Sequence, residues 1–250
     1  MENIRTGLTH RERIIRAFRH ELRNILFWAA AFRLVVRRSR FARISRRSWT
    51  FEDVPIMVIN LPRRTDRLKQ IRGEFSRIAV SEFEVVPGID GREVFSENPV
   101  LAGKRGCAAS HIEALSRARL LDRPVLVVED DLVFTQQFEE LKRTVDAFLI
   151  DSSLDLLLLD WSTVRAKPIN SHLQLVTDSV LTSAYLAKPR SIGPIGRSFE
   201  RSAKELAKGR DLPIDHAWWR PQRWELITVA PRMRLCAQSA GQSDTRVAHV

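Results

Sequence analysis

The residues best suited to chemistry stand together in PVLVVEDDLVF, Pro124 to Phe134, where a short apolar run ends in Glu129, Asp130 and Asp131. Alternate side chains of a strand share a face, so Glu129 and Asp131 are expected on one side and Asp130 on the other, a parity that loosens where strand gives way to loop. Three adjacent carboxylates beside a buried strand repel one another and hold their protons more tightly unless a cation compensates. A hard divalent ion, Mn²⁺ or Mg²⁺, would supply that charge and neutralise a departing diphosphate as well. Asp131 is the first candidate ligand and Asp130 the second. A plainer reading, in which such carboxylates cap helices or form surface ion pairs, stays open.

Other polar residues fall at expected strand ends. Asn60 closes IMVIN, and Arg64 and Arg67 follow it around a helix start, where guanidinium forks suit phosphate oxygens. Asp160 closes a second apolar run, Leu154 to Leu159, and Asp215 opens DHAWW. Asp160, Asp215 and His216 are candidate bases for a hydroxyl acceptor, whereas His111 is either a catalytic or ligand-contacting residue, binding a phosphate or orienting an acidic side chain, or a helix-lining one paired with Ser110 or Glu113. Trp218 and Trp219 offer sugar-stacking surfaces or ordinary core bulk.

The elements that must carry these residues alternate between strand and helix. Strands are expected at Ile56–Asn60, Phe83–Gly91, Val125–Val128, Leu154–Leu159, Leu173–Val176, Val180–Leu186 and Leu226–Val229. Helices are expected over about 66–78 with Thr65 as N-cap, 108–121 after a basic loop at Lys104 and Arg105, 134–148, and 197–207. This order predicts an α/β domain with a mostly parallel central sheet and a ligand crevice at the carboxyl ends of its strands. The polar tail from Ala237 onward reads as a flap.

Composition narrows the class. The chain has 250 residues, 44% apolar and 28% charged, enough for a substantial core. Its formal charge of +11 is lopsided: residues 1–49 hold 13 Arg against 3 Glu, and the remainder is nearly neutral. Within that segment Ile14, Ile15, Phe18, Leu22, Ile25, Leu26, Ala29 and Phe32 recur at helical spacing among arginines, predicting a basic amphipathic helix. Contact with an anionic membrane surface, packing on the domain, and nucleic-acid binding are the three readings, the last disfavoured because no stacking motif or zinc finger accompanies the arginines. Cys107 and Cys236 are too few for a disulfide scaffold, and no export signal or membrane-spanning stretch is read, so a cytoplasmic location is expected. No phosphate-binding loop of the nucleotide-triphosphatase type and no dinucleotide fingerprint occurs.

Taken together, Ile59-Asn60-Leu61 with Arg63, Arg64, Asp66 and Arg67, then Gly88-Ile89-Asp90-Gly91, Gly106-Cys107 with Ser110-His111, and Glu129-Asp130-Asp131 resemble glycosyltransferase family 25, the lipooligosaccharide biosynthesis glycosyltransferases. Two later pieces, Ser183 to Lys188 and Pro213 to Trp218, follow in order, and the resemblance spans about residues 54–244. It implies a single nucleotide-sugar-binding domain of the A type over 50–250, preceded by the basic segment 1–49. The implied reaction moves a hexose, usually galactose from UDP-galactose, with inversion, to a lipid-linked or other surface saccharide at the cytoplasmic face of a bacterial inner membrane. By resemblance, Asn60, Arg64 and Arg67 belong to the donor-side loop, Asp90 and Gly91 lie near nucleotide or sugar, Ser110 and His111 lie in the motif helix, Glu129, Asp130 and Asp131 meet metal and diphosphate, and Asp215 is a later acidic position. Two departures concern the acceptor side: Lys104 stands where the family often has Glu, and Pro189 with Gly193-Pro194 is expected to interrupt the helix after SAYL. A metal-dependent phosphoesterase or nuclease, and a non-catalytic membrane-binding protein, are the alternatives.

Overall fold

The computed structural model describes residues 9–41, 49–96, 98–135, 138–163 and 165–239. In chain order the elements are α1 (His10–Phe41), β1 (Ile56–Asn60), α2 (Thr65–Arg77), β2 (Glu84–Pro87), α3 (Gly91–Val94), α4 (Pro99–Leu121), β3 (Val125–Glu129), β4 (Leu132–Phe134), α5 (Phe138–Ile150), β5 (Leu156–Leu158), β6 (Ala166–Pro168), β7 (Leu173–Val176), β8 (Ala184–Ala187), α6 (Pro189–Ala207), α7 (Ile214–Ala217), α8 (Trp219–Trp224), β9 (Thr228–Pro231) and β10 (Cys236–Gln238).

Eight strands form one sheet in the order β2-β1-β3-β8-β5-β9-β7-β6. Its pairings make six strands run one way, with β8 and β7 reversed. The mostly parallel α/β fold is therefore present, and β8 explains why β3 and β5 can lie near each other without being neighbours. Strand parity sorts the core. Val58, Leu126, Val128, Leu157 and Leu186 face α1, α2 and α5, while Met57, Val125, Val127, Leu158 and Tyr185 face α4, α6 and α7.

Several boundaries differ from the sequence pattern. Thr65 is the first helical residue of α2, and Arg64 precedes it without a side-chain cap. Helix α4 starts nine residues early, at Pro99, with Asn98 accepting from the Val100 N–H. Lys104 and Arg105 are thus helical, and Ser110 and His111 lie mid-helix. The early turns gave no apolar stripe because they meet α3 through backbone: a Cβ on Gly91 would lie 1.7 Å from the Ala102 carbonyl, and one on Gly106 2.4 Å from the Gly91 nitrogen. Pro189 opens α6 rather than interrupting it, and Pro194 lies inside the same helix. Phe134, where the expected helix 134–148 was to start, instead ends β4, which pairs with β10 in a separate two-stranded sheet, and α5 begins at Phe138.

Helix α1 is docked, not detached. Leu26 is buried, and Phe27, Ala30 and Leu34 join the core on the α2 and α5 side. Arg33 donates to the carbonyls of Arg223 and Trp224 at 2.6 Å each, Arg37 pairs with buried Asp155, and Arg38 reaches Asp151 at 2.7 Å. The arginine-rich run after α1 includes Arg43, Arg46 and Arg47, which lie outside the described residues, as does the tail from Ala240.

Candidate active site

A cavity of about 270 Å³ opens at the carboxyl ends of β1 and β3. Arg67, Asp90, Gly91, Lys104, Cys107, Ser110, His111, Glu129, Asp130, Asp131, Thr182 and Asp215 all contribute to its wall. Five carboxylates, Asp90, Glu129, Asp130, Asp131 and Asp215, thus face one space together with the cations Arg67 and Lys104.

The acidic strand end divides at Glu129. Asp130 Oδ2 accepts from Asn60 Nδ2 at 2.6 Å, and Arg67 Nη1 lies 3.1 Å from Asp130 and 3.5 Å from Asp131. Glu129 turns to the opposite side, 3.3 Å from His111 Nε2. The expected sharing of direction by Glu129 and Asp131 is therefore not found, because the strand ends at Glu129 and the turn carries Asp131 toward α2.

Burial sets the electrostatics. It pushes the Asp131 carboxyl up to about 7, helped by the charge of Glu129 and opposed by Arg67. Burial also raises Asp130, against the hydrogen bond from Asn60 and the charge of Arg67. Asp215 is raised by burial and by Glu129, while its Oδ1 accepts from Thr182 at 3.0 Å. One oxygen of Asp131, Oδ1, is buried without a hydrogen-bond partner. An orphaned carboxylate oxygen in a carboxylate-rich cavity fits a divalent cation, with Asp131 and Asp130 as its oxygen donors. Cys107, His111 and Glu129 also converge, their donor atoms within 4.8 Å of one another.

The remaining expected site residues serve as supports. Asn60 is buried and ties Asp130 to the Arg64 carbonyl, to which it donates at 3.0 Å. Arg64 turns its guanidinium to Asp66, at 2.9 Å, and does not line the cavity. Ser110 accepts from the Ile89 N–H and donates to the Gly106 carbonyl, both at 2.8 Å, clasping the 88–91 turn to α4. Asp90 caps α3 through the Arg92 N–H and takes Arg63 Nε at 2.6 Å. His111 is buried between Glu129 and the Tyr185 hydroxyl, 3.1 Å from its Nδ1.

Asp160 is not brought to the cavity. β5 ends at Leu158, and the chain turns back beside β8, so Asp160 is 1% exposed and takes the Ser183 hydroxyl at 2.6 Å. The tryptophan pair is not a cavity surface either: Trp218 is fully buried, donating to the Ser179 carbonyl, and Trp219 lies beneath Arg23 of α1.

Lys104, Cys107, Thr182 and Gln238 line the cavity but were not assigned to it from sequence. Thr182 had one local signal, its position before SAYL, but its role depends on Leu181, whose φ of 78° is a left-handed conformation unusual for a bulky residue. Gln238 arrives through β10, where the Ser239 N–H donates to the Asp131 carbonyl at 2.7 Å.

A sequence model of the family described as glycosyltransferase family 25 (LPS biosynthesis protein) matches residues 53–207. A protein of Acanthamoeba polyphaga mimivirus named as a glycosyltransferase is 32% identical over 103 residues, an alignment covering 36% of this chain and 32% of that protein. The chain thus matches about a third of the length of that curated relative. Among solved structures, a mannose-1-phosphate geranyltransferase from Thermus thermophilus is similar at 8% identity and a TM-score of 0.39, covering 71% of this chain and 73% of that one. A glycosyltransferase involved in glycosylation of the major capsid of PBCV-1 is similar at 10% identity and a TM-score of 0.38, covering 76% and 94%.

Proposed function

Since the chain belongs to glycosyltransferase family 25, we propose that its carboxyl-end cavity transfers a hexose from a nucleotide sugar to a saccharide hydroxyl, with a divalent metal assisting. The observation that carries the metal-assisted reading is Asp131: buried in the cavity, one oxygen unpartnered, its carboxyl lifted to about 7. Asp131 and Asp130 would hold Mn²⁺ or Mg²⁺, which when bound offsets the negative charge that grows on the leaving diphosphate.

The chain's own residues have separable tasks in this reading. Arg67 already balances Asp130 and Asp131 and stands where a second anionic group would meet it. Lys104, on the facing helix, exchanges part of its pairing with Asp211, 2.6 Å away, for a phosphate oxygen. Asp215 is the acceptor base, since a carboxylate with raised proton affinity is a better proton acceptor near neutral pH, and Thr182 orients it. His111 positions Glu129, with Tyr185 fixing the ring from behind. UDP-galactose as donor, inversion, and a lipooligosaccharide or other surface saccharide as acceptor complete the proposal; the family's description supports the acceptor class.

The test is a panel of UDP-, GDP- and CMP-sugars with Mn²⁺ or Mg²⁺, reading nucleotide release. Metal-dependent release from one donor class is expected, and Asp131→Asn should lower it by about 10²-fold or more without lowering the melting temperature. Full turnover in Asp131→Asn, or equal turnover in chelator, would remove the assigned metal role.

A further inference from the structure

Helix α1 has a second apolar face that the domain does not cover. At 3.6 residues per turn, Ile14, Phe18, Ile25 and Phe32 fall within about 40° of one another, on the side opposite docked Leu26, Ala30 and Leu34. They are 56%, 68%, 64% and 69% exposed, and Trp28 and Val35 beside them are 59% and 65% exposed. Exposed Arg11, Arg16 and Arg19 lie in the same turns. The helix is thus anchored on one side and apolar on the other, within the segment that carries almost all of the chain's net positive charge.

Its direction relates this face to the cavity. Arg37 and Arg38 pair with Asp155 and Asp151, just before β5, whereas Arg23 lies over the ring of Trp219, four residues after the cavity residue Asp215. β5 runs the same way as β1 and β3, so α1 descends from the cavity end of the sheet to the opposite end. The turns before His20, with Ile14 and Phe18, therefore stand toward the end of the sheet where the cavity opens.

We infer that α1 lies in the plane of an anionic lipid bilayer, its outer apolar face among the acyl chains and its arginines at headgroup phosphates, holding the cavity end of the sheet beside the membrane. Charge selects this occupant over a second copy of the chain: self-association through α1 would bring two arginine-rich segments together, whereas anionic headgroups attract them. Among the described residues no helix is long and apolar enough to cross a membrane, so an in-plane position is the one such a face can take. An acceptor anchored in that bilayer by its own lipid would meet the cavity at the surface; this last step rests on the transferase reading, whereas the bilayer contact does not.

The experiment uses the full chain with phosphatidylcholine vesicles, alone or containing phosphatidylglycerol, and compares it with the triple variant Phe18→Ser, Ile25→Ser, Phe32→Ser. Co-sedimentation with the anionic vesicles, weakened by high salt and reduced roughly tenfold in the variant at unchanged melting temperature, is expected. Equal sedimentation of variant and wild type overturns the inference. So does a vesicle-free wild-type dimer that the variant converts to monomer, since a second copy would then cover the face. Nucleotide release from soluble donor should be the same in both proteins, so absence of release in both sinks the transferase reading while leaving vesicle binding intact. Equal transfer to a saccharide with and without its lipid would overturn the anchored-acceptor step.

Discussion

Asp131 concentrates the electrostatic conflict of the site. Its carboxyl is raised from an ordinary value of 3.8 to about 7, so between those values the folded metal-free protein binds more protons than the unfolded chain. The stability that Asp131 contributes is therefore complete below about pH 4 and is lost as pH rises through about 7. Thermal melts of the metal-free protein should fall between pH 5 and pH 8, and Asp131→Asn should flatten that slope; an unchanged slope would show that Asp131 ionises without hindrance. Mn²⁺ added at pH 8 should recover melting temperature in wild type and not in the variant. The acidic triplet was legible in the sequence because an apolar run ending in carboxylates is a local pattern. Its division was not, because Asn60, Arg67 and His111, which draw Asp130 and Glu129 apart, come from three other places in the chain.

At the scale of elements, the contact between α3 and α4 is the joint that sets the 88–91 turn against the cavity. Backbone meets backbone there, and the Ser110 clasp closes the same junction. Gly91→Ala should destabilise the fold by about 3 kcal/mol or more, since its Cβ would overlap the Ala102 carbonyl and rigid helix backbone cannot give way as a flexible side chain does. A denaturant midpoint equal to wild type would contradict this packing. The same joint explains why α4 was read too short: pattern reading finds helices by apolar stripes, and close glycine packing leaves none. Strands β1 and β7 were legible to the residue because each is a buried run bounded by polar turns, whereas three-residue β4, β6 and β10 are too short to show a period.

For the whole molecule, α1 is part of the same core as the sheet. Asp155, 1% exposed, receives Arg37 from α1, Arg190 from α6 and the Ile227 N–H just before β9, and so joins three distant segments at the amino end of β5. Asp155→Ala should cost about 3–5 kcal/mol by leaving the Ile227 N–H and two guanidinium groups without their shared acceptor. Urea unfolding checks this, and a loss below about 1 kcal/mol would mean that the Asp155 junction contributes little and that α1 is held by its apolar contacts and its other polar ties, those of Arg33 and Arg38. Removing residues 1–41 should likewise lower the melting temperature, because it uncovers the apolar seat of Phe27, Ala30 and Leu34.

By itself the sequence determined the α/β class, the basic helical segment, the family motifs and the acidic strand end, all of which are written in residues close together along the chain. Tertiary structure decided which polar residues reach the cavity: it kept Asp215, withdrew Asp160 into the interior, turned Asn60 and Ser110 into braces, and added Lys104, Thr182 and Gln238. The physical reason is that local pattern fixes the face and the end of an element, whereas the neighbour that satisfies a buried charge depends on strand order and helix docking, which bring together segments far apart in sequence.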